Sequence, residues 1–131
     1  MKVLHVRDYV VNRLQYALNP KSIAVVGASR YETKEGLREW GYKGEIYPVN
    51  PRSDKVHGLK AYPTVKDIPY AVDLVFVAVP AHIVKSVLED CVAKKVNIVV
   101  IATSAFKEIG RGQLQNDLTQ YCRDNKLPLI G

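Results

Sequence analysis

The sequence predicts an α/β protein: a Rossmann-like, doubly wound parallel sheet of about five strands, in three layers α/β/α. Three observations carry that prediction. Ser22–Gly27, Glu45–Val49, Asp73–Val79 and Asn97–Thr103 are short apolar stretches, and three of them are nearly continuous in Val, Ile, Leu, Phe and Ala. Such runs mark parallel strands covered on both faces. Stripes of helical period lie between or beside them. Small or turn-forming residues follow the strands, where the chain must hand over to a helix.

Each element has its own signal. Val3, Val6, Val10, Leu14 and Ala17 recur every three or four residues, predicting a helix over residues 1–18 that Pro20 stops before the first strand. The segment Asn50–Pro69 holds Pro51, Gly58, Pro63 and Pro69; it reads as loop, with a short strand near Leu59–Tyr62 and a helical turn near Val65–Ile68. Pro80 suits the first turn of a helix whose stripe is Val84, Val87, Leu88, Cys91 and Val92. Leu114, Leu118, Tyr121 and Cys122 make a further helix after Gly110 and Gly112, and Pro128–Ile130 is a short fifth strand. Counting the four buried strands and this fifth one, the predicted order is 3-2-1-4-5 with right-handed crossovers. The organisation is a single domain, residues 19–131, preceded by the helix 1–18.

A chain of 131 residues, 47% apolar and 24% charged, can bury one core without staples, which excludes a disordered tail, a collagen-like fibre and a disulfide scaffold. Apolar runs such as Leu74–Val79 are too short to span a bilayer, and Met1–Asp8 lacks the pattern of a secretory leader. The expectation is a cytoplasmic protein with no membrane partner. Lysine and arginine number 19 against 13 acidic residues, and the resulting +6 favours an anionic partner such as a phosphorylated ligand or nucleic acid. The cations are spread, without a basic stripe interleaved with aromatics, which argues against nucleic acid. Cys91 and Cys122 fall among apolar neighbours on helix faces, as buried free thiols. His5, His57 and His82 have no metal-ligand spacing, and no nucleophile–base signature is visible, so no catalytic residue is assigned.

Four clusters sit at carboxyl ends of predicted strands, the side where doubly wound sheets take ligands. The first is Gly27-Ala28-Ser29-Arg30 with Lys34 shortly after. Small residues let the backbone approach an anion, and free N–H groups at a helix start stabilise it. The pattern is neither G-x-G-x-x-G nor a Walker loop, and a plain strand–helix turn with solvated charges is the alternative. The second is Tyr47-Pro48-Val49-Asn50-Pro51, followed by Arg52 and Lys55. Asn50 stands where a nicotinamide-binding chain carries an acidic residue for the ribose diol, and neutral and basic residues there suit an extra ribose phosphate. The third is Val79-Pro80-Ala81-His82, which could pack an adenine; the fourth is Thr103-Ser104-Ala105-Phe106-Lys107-Glu108.

Asn19-Pro20-Lys21-Ser22-Ile23-Ala24-Val25-Val26-Gly27-Ala28-Ser29-Arg30, then Gly44-Glu45-Ile46-Tyr47-Pro48-Val49-Asn50-Pro51, resemble the N-terminal coenzyme A-binding domain of the NDP-forming acyl-CoA synthetases, related to the α subunit of succinyl-CoA synthetase. Gly58–Val65, Val72–Pro80 and Phe106–Gly110 extend the resemblance over about residues 19 to 131. It implies a Rossmann-type fold holding coenzyme A or acyl-CoA. Gly27, Ala28, Ser29, Arg30 and Lys34 would face its phosphates. Val49, Asn50, Pro51 and Lys55 would border the 3′-phosphorylated ribose and adenine, Val79 and Pro80 would flank the adenine, and Thr103 and Ser104 would lie nearer the pantetheine arm. Only Leu37-Arg38-Glu39-Trp40 separate Gly36 from Gly41, where the family has a helix roughly two turns longer, so the first crossover is expected to be short or irregular. Ala105 stands where the family usually has glycine. The family's phosphorylated histidine and ATP-grasp machinery lie beyond the matching stretch. The resemblance therefore implies a CoA-binding module that is not catalytic alone. The alternatives are a CoA-binding subunit or fragment of such a ligase, working with an ATP-grasp or succinyl-CoA-synthetase-like partner chain, and an NAD-type nucleotide sensor on the same fold.

Overall fold

The computed structural model of the chain describes residues 13–27, 34–39, 41–102 and 113–130. At its centre lies a five-stranded parallel sheet. Strand β1 (Ser22–Val26) pairs with β2 (Glu45–Val49) on one side and with the strand Leu74–Val77 on the other. Between β2 and that strand the chain makes a small antiparallel hairpin, β3 (Lys55–Val56) and β4 (Leu59–Lys60), so Leu74–Val77 is β5. Strands β6 (Ile98–Ile101) and β7 (Leu129–Ile130) extend the sheet from β5. Helix α1 (Lys34–Glu39) precedes β2, α2 (Ala81–Lys94) joins β5 to β6, and α3 (Gln113–Asp124) precedes β7. Residues 13–18 are helical.

The strand order is β2-β1-β5-β6-β7, which in the count of main strands is 2-1-3-4-5 and not the expected 3-2-1-4-5. The third main strand does not lie outside the second; it crosses back to the far side of β1. Two features of the chain explain this. Strand β5 is apolar on both faces, with Val75 and Val77 buried on one and Leu74 on the other, the pattern of an interior strand covered by both helical layers. Strand β2 carries Pro48, which has no N–H for a ladder and belongs on an edge. A strand residue's N–H and C=O point to the same side. The carbonyl of Pro48 accepts from the Tyr62 N–H at 2.9 Å, away from β1, so the missing donor faces outward. Tyr62 then bridges to Val49, and its own carbonyl accepts from the Asn50 N–H at 2.8 Å.

Alternation along the strands gives each face its own core. Ala24, Val26, Val75, Val77 and Val99 pack with Val84, Leu88 and Cys91 of α2 and with Leu118 and Cys122 of α3. Ile23, Val25, Ile46, Leu74 and Ile98 face the other way, against Tyr16, Ala17, Leu37 and Tyr42. The three layers follow. Both cysteines are buried and free.

The expected loop Asn50–Pro69 contains the hairpin, whose two-residue turn His57-Gly58 has φ of 49° and 79°. Positive φ at both positions is the mirror-image turn that matches strand twist, and glycine adopts it freely. A one-turn 3₁₀ helix, Val65–Asp67, follows and buries Val65 and Ile68 in the core. The Thr64 hydroxyl and N–H both donate to the Asp67 carboxylate, at 2.8 and 3.2 Å, and stop the turn's start from fraying. At the amino ends of the strands, Ser22 donates to the Ala71 carbonyl and accepts from the Asp73 N–H, both at 3.0 Å. Asp73 in turn accepts from the Lys21 N–H at 2.8 Å and from the Asn97 amide at 3.1 Å, tying β1, β5 and β6 into register.

Candidate functional site

The order 2-1-3-4-5 has its topological switch point between β1 and β5, where the two neighbouring crossovers leave on opposite faces. Their carboxyl ends therefore splay and leave a crevice. A cleft of about 610 Å³ lies there. It is built from the ends of three strands: Val26 and Gly27 after β1, Val49 to Arg52 after β2, and Val79 and Pro80 after β5. Pro63, Thr64 and Val65 form one further wall, and Ile83, Ser86, Val87 and Asp90 of α2 form another.

Gly27 makes the crevice sharp. Its φ is +75°, and a Cβ built on it would lie 2.4 Å from the Ala78 carbonyl oxygen and 2.8 Å from Cγ1 of Val79. The ends of β1 and β5 thus touch backbone to backbone, and the Ala78 N–H donates to the Val26 carbonyl at 2.9 Å. Only a residue without a side chain lets the chain turn at that contact.

On the opposite lip, the Asn50 side-chain oxygen accepts from the Arg52 N–H at 2.8 Å. This Asx turn, with the Asn50 N–H held by Tyr62, fixes Pro51 at the rim and leaves Arg52 exposed beside it. Pro80 caps α2, and the Ile83 N–H donates back to its carbonyl at 2.9 Å. Asp90 lies 3.6 Å from the Lys66 ammonium, which joins α2 to the 3₁₀ turn. The Lys94 ammonium donates to the Ile68 carbonyl and fastens the same wall.

Of the expected site residues, the structure brings together Gly27, Val49, Asn50, Pro51, Val79 and Pro80 in this one cleft. Lys34 opens α1. Lys55 sits on the β3–β4 hairpin and lines a neighbouring hollow with Lys60 and Tyr62, not the cleft. Ala28, Ser29, Arg30, Thr103 and Ser104 lie outside the described residues. Sequence reasoning missed Thr64 and the α2 face of Ile83, Ser86, Val87 and Asp90. That face was readable: the four positions share one side of a helix whose start Pro80 marks.

The lining suits the adenosine end of a phosphorylated nucleotide. Flat apolar walls can sandwich a ring, Arg52 supplies charge at the rim, and the lining residues described include no acidic group on the β2 lip to seize a ribose diol. It offers no activated nucleophile among the described residues. Burial pushes the Cys122 thiol up to about 11, against a smaller opposing pull from Lys85, and pushes the Cys91 thiol up further still. Thiols held protonated in an apolar core are inert. Among the described residues no group of three His, Cys, Asp or Glu could hold a metal ion, and no helix is long and apolar enough to cross a membrane.

Known proteins share this architecture. The chain is 46% identical over 126 residues to the α subunit of the ADP-forming acetate–CoA ligase II of Pyrococcus furiosus, covering 90% of this chain and 27% of that one. It is 45% identical over 109 residues to the ADP-forming acetate–CoA ligase II of Archaeoglobus fulgidus, covering 79% of this chain and 16% of the relative. Among solved structures, a dinucleotide-forming acetyl-coenzyme A synthetase 1 from Ca. Korarchaeum cryptofilum, in complex with phosphate and ADP, superposes with a TM-score of 0.78 at 39% identity. That superposition covers 90% of this chain and 27% of the synthetase chain. The chain thus spans about a quarter or less of the length of these relatives. Residues 21–131 match the family model of the CoA binding domain. With a doubly wound sheet, a ligand cleft at its switch point and a family match over nearly its whole length, the chain belongs to the CoA binding domain family.

Proposed function

We propose that the cleft binds coenzyme A or an acyl-CoA, with the adenosine end between the Val49–Arg52 lip and Val79–Pro80. The observation that carries this reading is the convergence of Gly27, Asn50, Pro51, Val79 and Pro80, from three separate strand ends, on one cleft of about 610 Å³. In this reading the phosphates run toward the turn after Gly27, where Ser29, Arg30 and Lys34 meet them. Thr103 and Ser104 lie along the pantetheine arm, and Lys55 stands outside the closest ring of contacts. The domain comprises residues 19–131, with 1–18 as an appended helix, and works in the cytoplasm.

The relatives that contain this stretch are CoA ligases several times its length. This supports a second reading: the domain supplies the CoA site of an acid–thiol ligase whose phosphoryl-transfer machinery, of the ATP-grasp type, lies on a partner chain or further domain. On both readings the 131-residue chain alone makes no acyl-CoA from acid, nucleoside triphosphate and CoA. Turnover by the purified chain without a partner would refute that part. Titrating the protein in parallel with CoA, dephospho-CoA, NAD and ATP tests the main reading. CoA should bind most tightly and dephospho-CoA measurably more weakly. A preference for NAD would make the protein a nucleotide sensor instead.

A further inference from the structure

Some polar groups of the cleft are engaged within the chain; the Arg52 side chain at the rim, the side-chain amide N–H groups of Asn50 and one oxygen of Asp90 in the wall have no hydrogen-bond partner among the described residues. The Ser86 hydroxyl donates to the Ile83 carbonyl at 2.9 Å. The Thr64 hydroxyl donates to Asp67 at 2.8 Å, and the Asn50 side-chain oxygen accepts from the Arg52 N–H at 2.8 Å. Asp90 differs. One of its carboxylate oxygens lies 3.6 Å from the Lys66 ammonium, and the other accepts no hydrogen bond from any described residue. The side chain is only 23% exposed, and it is the one carboxylate among the described lining residues. A half-buried acceptor on an otherwise apolar wall is satisfied best by a ligand donor.

Its place along the cleft says which part of the ligand that is. Gly27 and Val79 lie at the start of α2, and Asp90 is seven residues beyond Ile83 on the same helix face. At 1.5 Å per residue the carboxylate sits about 10 Å further along the cleft, away from the turn that faces anions. A negative group there repels phosphate. Apolar Val65 and Val87 line the same cleft and offer surface to a flat ring. The complementary ligand is therefore anionic at one end and, at the other, an aromatic base with an exocyclic amine. We propose that Asp90 is a specificity-determining residue. Its carboxylate accepts from the exocyclic amine of adenine, a donor that a purine carrying a carbonyl at that position lacks. This deepens, and rests on, the reading that the cleft takes coenzyme A.

The test compares CoA with its hypoxanthine counterpart, in which the amine is replaced by a carbonyl, by calorimetric titration. The wild type should prefer CoA by about ten-fold or more, the size of one charge-assisted hydrogen bond. Asp90→Leu should weaken CoA to match and leave the counterpart within two-fold, bringing the ratio close to one. Asp90→Asn, whose amide can donate to a carbonyl, should bind the counterpart more tightly than the wild type does, and it decides the matter should the leucine variant not fold. Lys66→Gln, which leaves the carboxylate in place, should keep the preference. A wild type that binds both ligands equally, or a folded Asp90→Leu that keeps the wild-type ratio, would overturn the role of Asp90 while leaving CoA binding intact. A wild type that binds neither ligand would overturn the CoA reading itself, and the role of Asp90 with it.

Discussion

Replacing Gly27 by alanine probes the contact on which both the sheet and the cleft depend. Two separate terms act there. The backbone at Gly27 has φ of +75°, a conformation that costs an L-residue roughly 1–2 kcal/mol. The new Cβ would also stand 2.4 Å from the Ala78 carbonyl oxygen, a backbone atom that cannot rotate away. Overpacking of this kind typically costs about 1–3 kcal/mol. The reduced freedom of the unfolded alanine chain returns about 0.4–1 kcal/mol. The net loss is about 2–4 kcal/mol, which for a domain of this size lowers the melting temperature by roughly 8–16 °C. Gly58 is a matched control, because its φ is +79° but nothing lies within 4 Å of its Cβ position. Gly58→Ala should therefore show only the conformational part, about 1 kcal/mol. Thermal unfolding of both variants by circular dichroism, with CoA titrations on each, separates the terms. If Gly27→Ala melted with Gly58→Ala, the close approach of β1 and β5 would not be what shapes the cleft.

Other outcomes follow from the same structure. The folded state holds the Cys91 and Cys122 thiols above their ordinary value of 9.0, so it keeps protons that the unfolded chain releases. Their contribution is intact below pH 9 and is lost as pH rises toward about 11 for Cys122, at about 1.4 kcal/mol per pH unit for each thiol. Urea midpoints at pH 8, 9 and 10 should fall accordingly, and a Cys91→Ala/Cys122→Ala protein should lose that slope. Replacing Arg30 or Lys34 by alanine should weaken CoA binding about ten-fold or more, since a charge-assisted phosphate contact is worth about 1.5–3 kcal/mol. Folding should barely change. Affinity within two-fold of wild type for both variants would move the phosphates elsewhere.

Much of this was readable in the sequence, for physical reasons. Parallel strands covered on both faces must be apolar throughout, so Ser22–Val26, Leu74–Val77 and Ile98–Ile101 announce themselves. The cleft residues were readable because ligands of doubly wound sheets meet strand ends, which places Val49–Pro51 and Val79–Pro80 by position alone. Strand order is not legible from the alternation of elements, which does not say on which side of β1 the chain returns; Pro48 holds that information, as a residue fit for an edge. The short strand expected near Leu59–Tyr62 is there as β4, Leu59–Lys60, but its partner β3 is not legible, because a strand of two residues carries no period and only the His57-Gly58 turn signals the pairing. That hairpin is also what carries Lys55 away from the cleft. Asp90 is not legible as a cleft residue, because a charge on an amphipathic helix reads as solvated until the 3₁₀ turn opposite it is known.

The most direct test of the central claim is a thermal scan of the purified chain with CoA and with NAD, side by side. With CoA at about one hundred times its dissociation constant, the fold should gain roughly 2.7 kcal/mol, seen as a clear rise in melting temperature. NAD at the same concentration should produce little change. No shift with CoA and a clear one with NAD would contradict the assignment of the cleft.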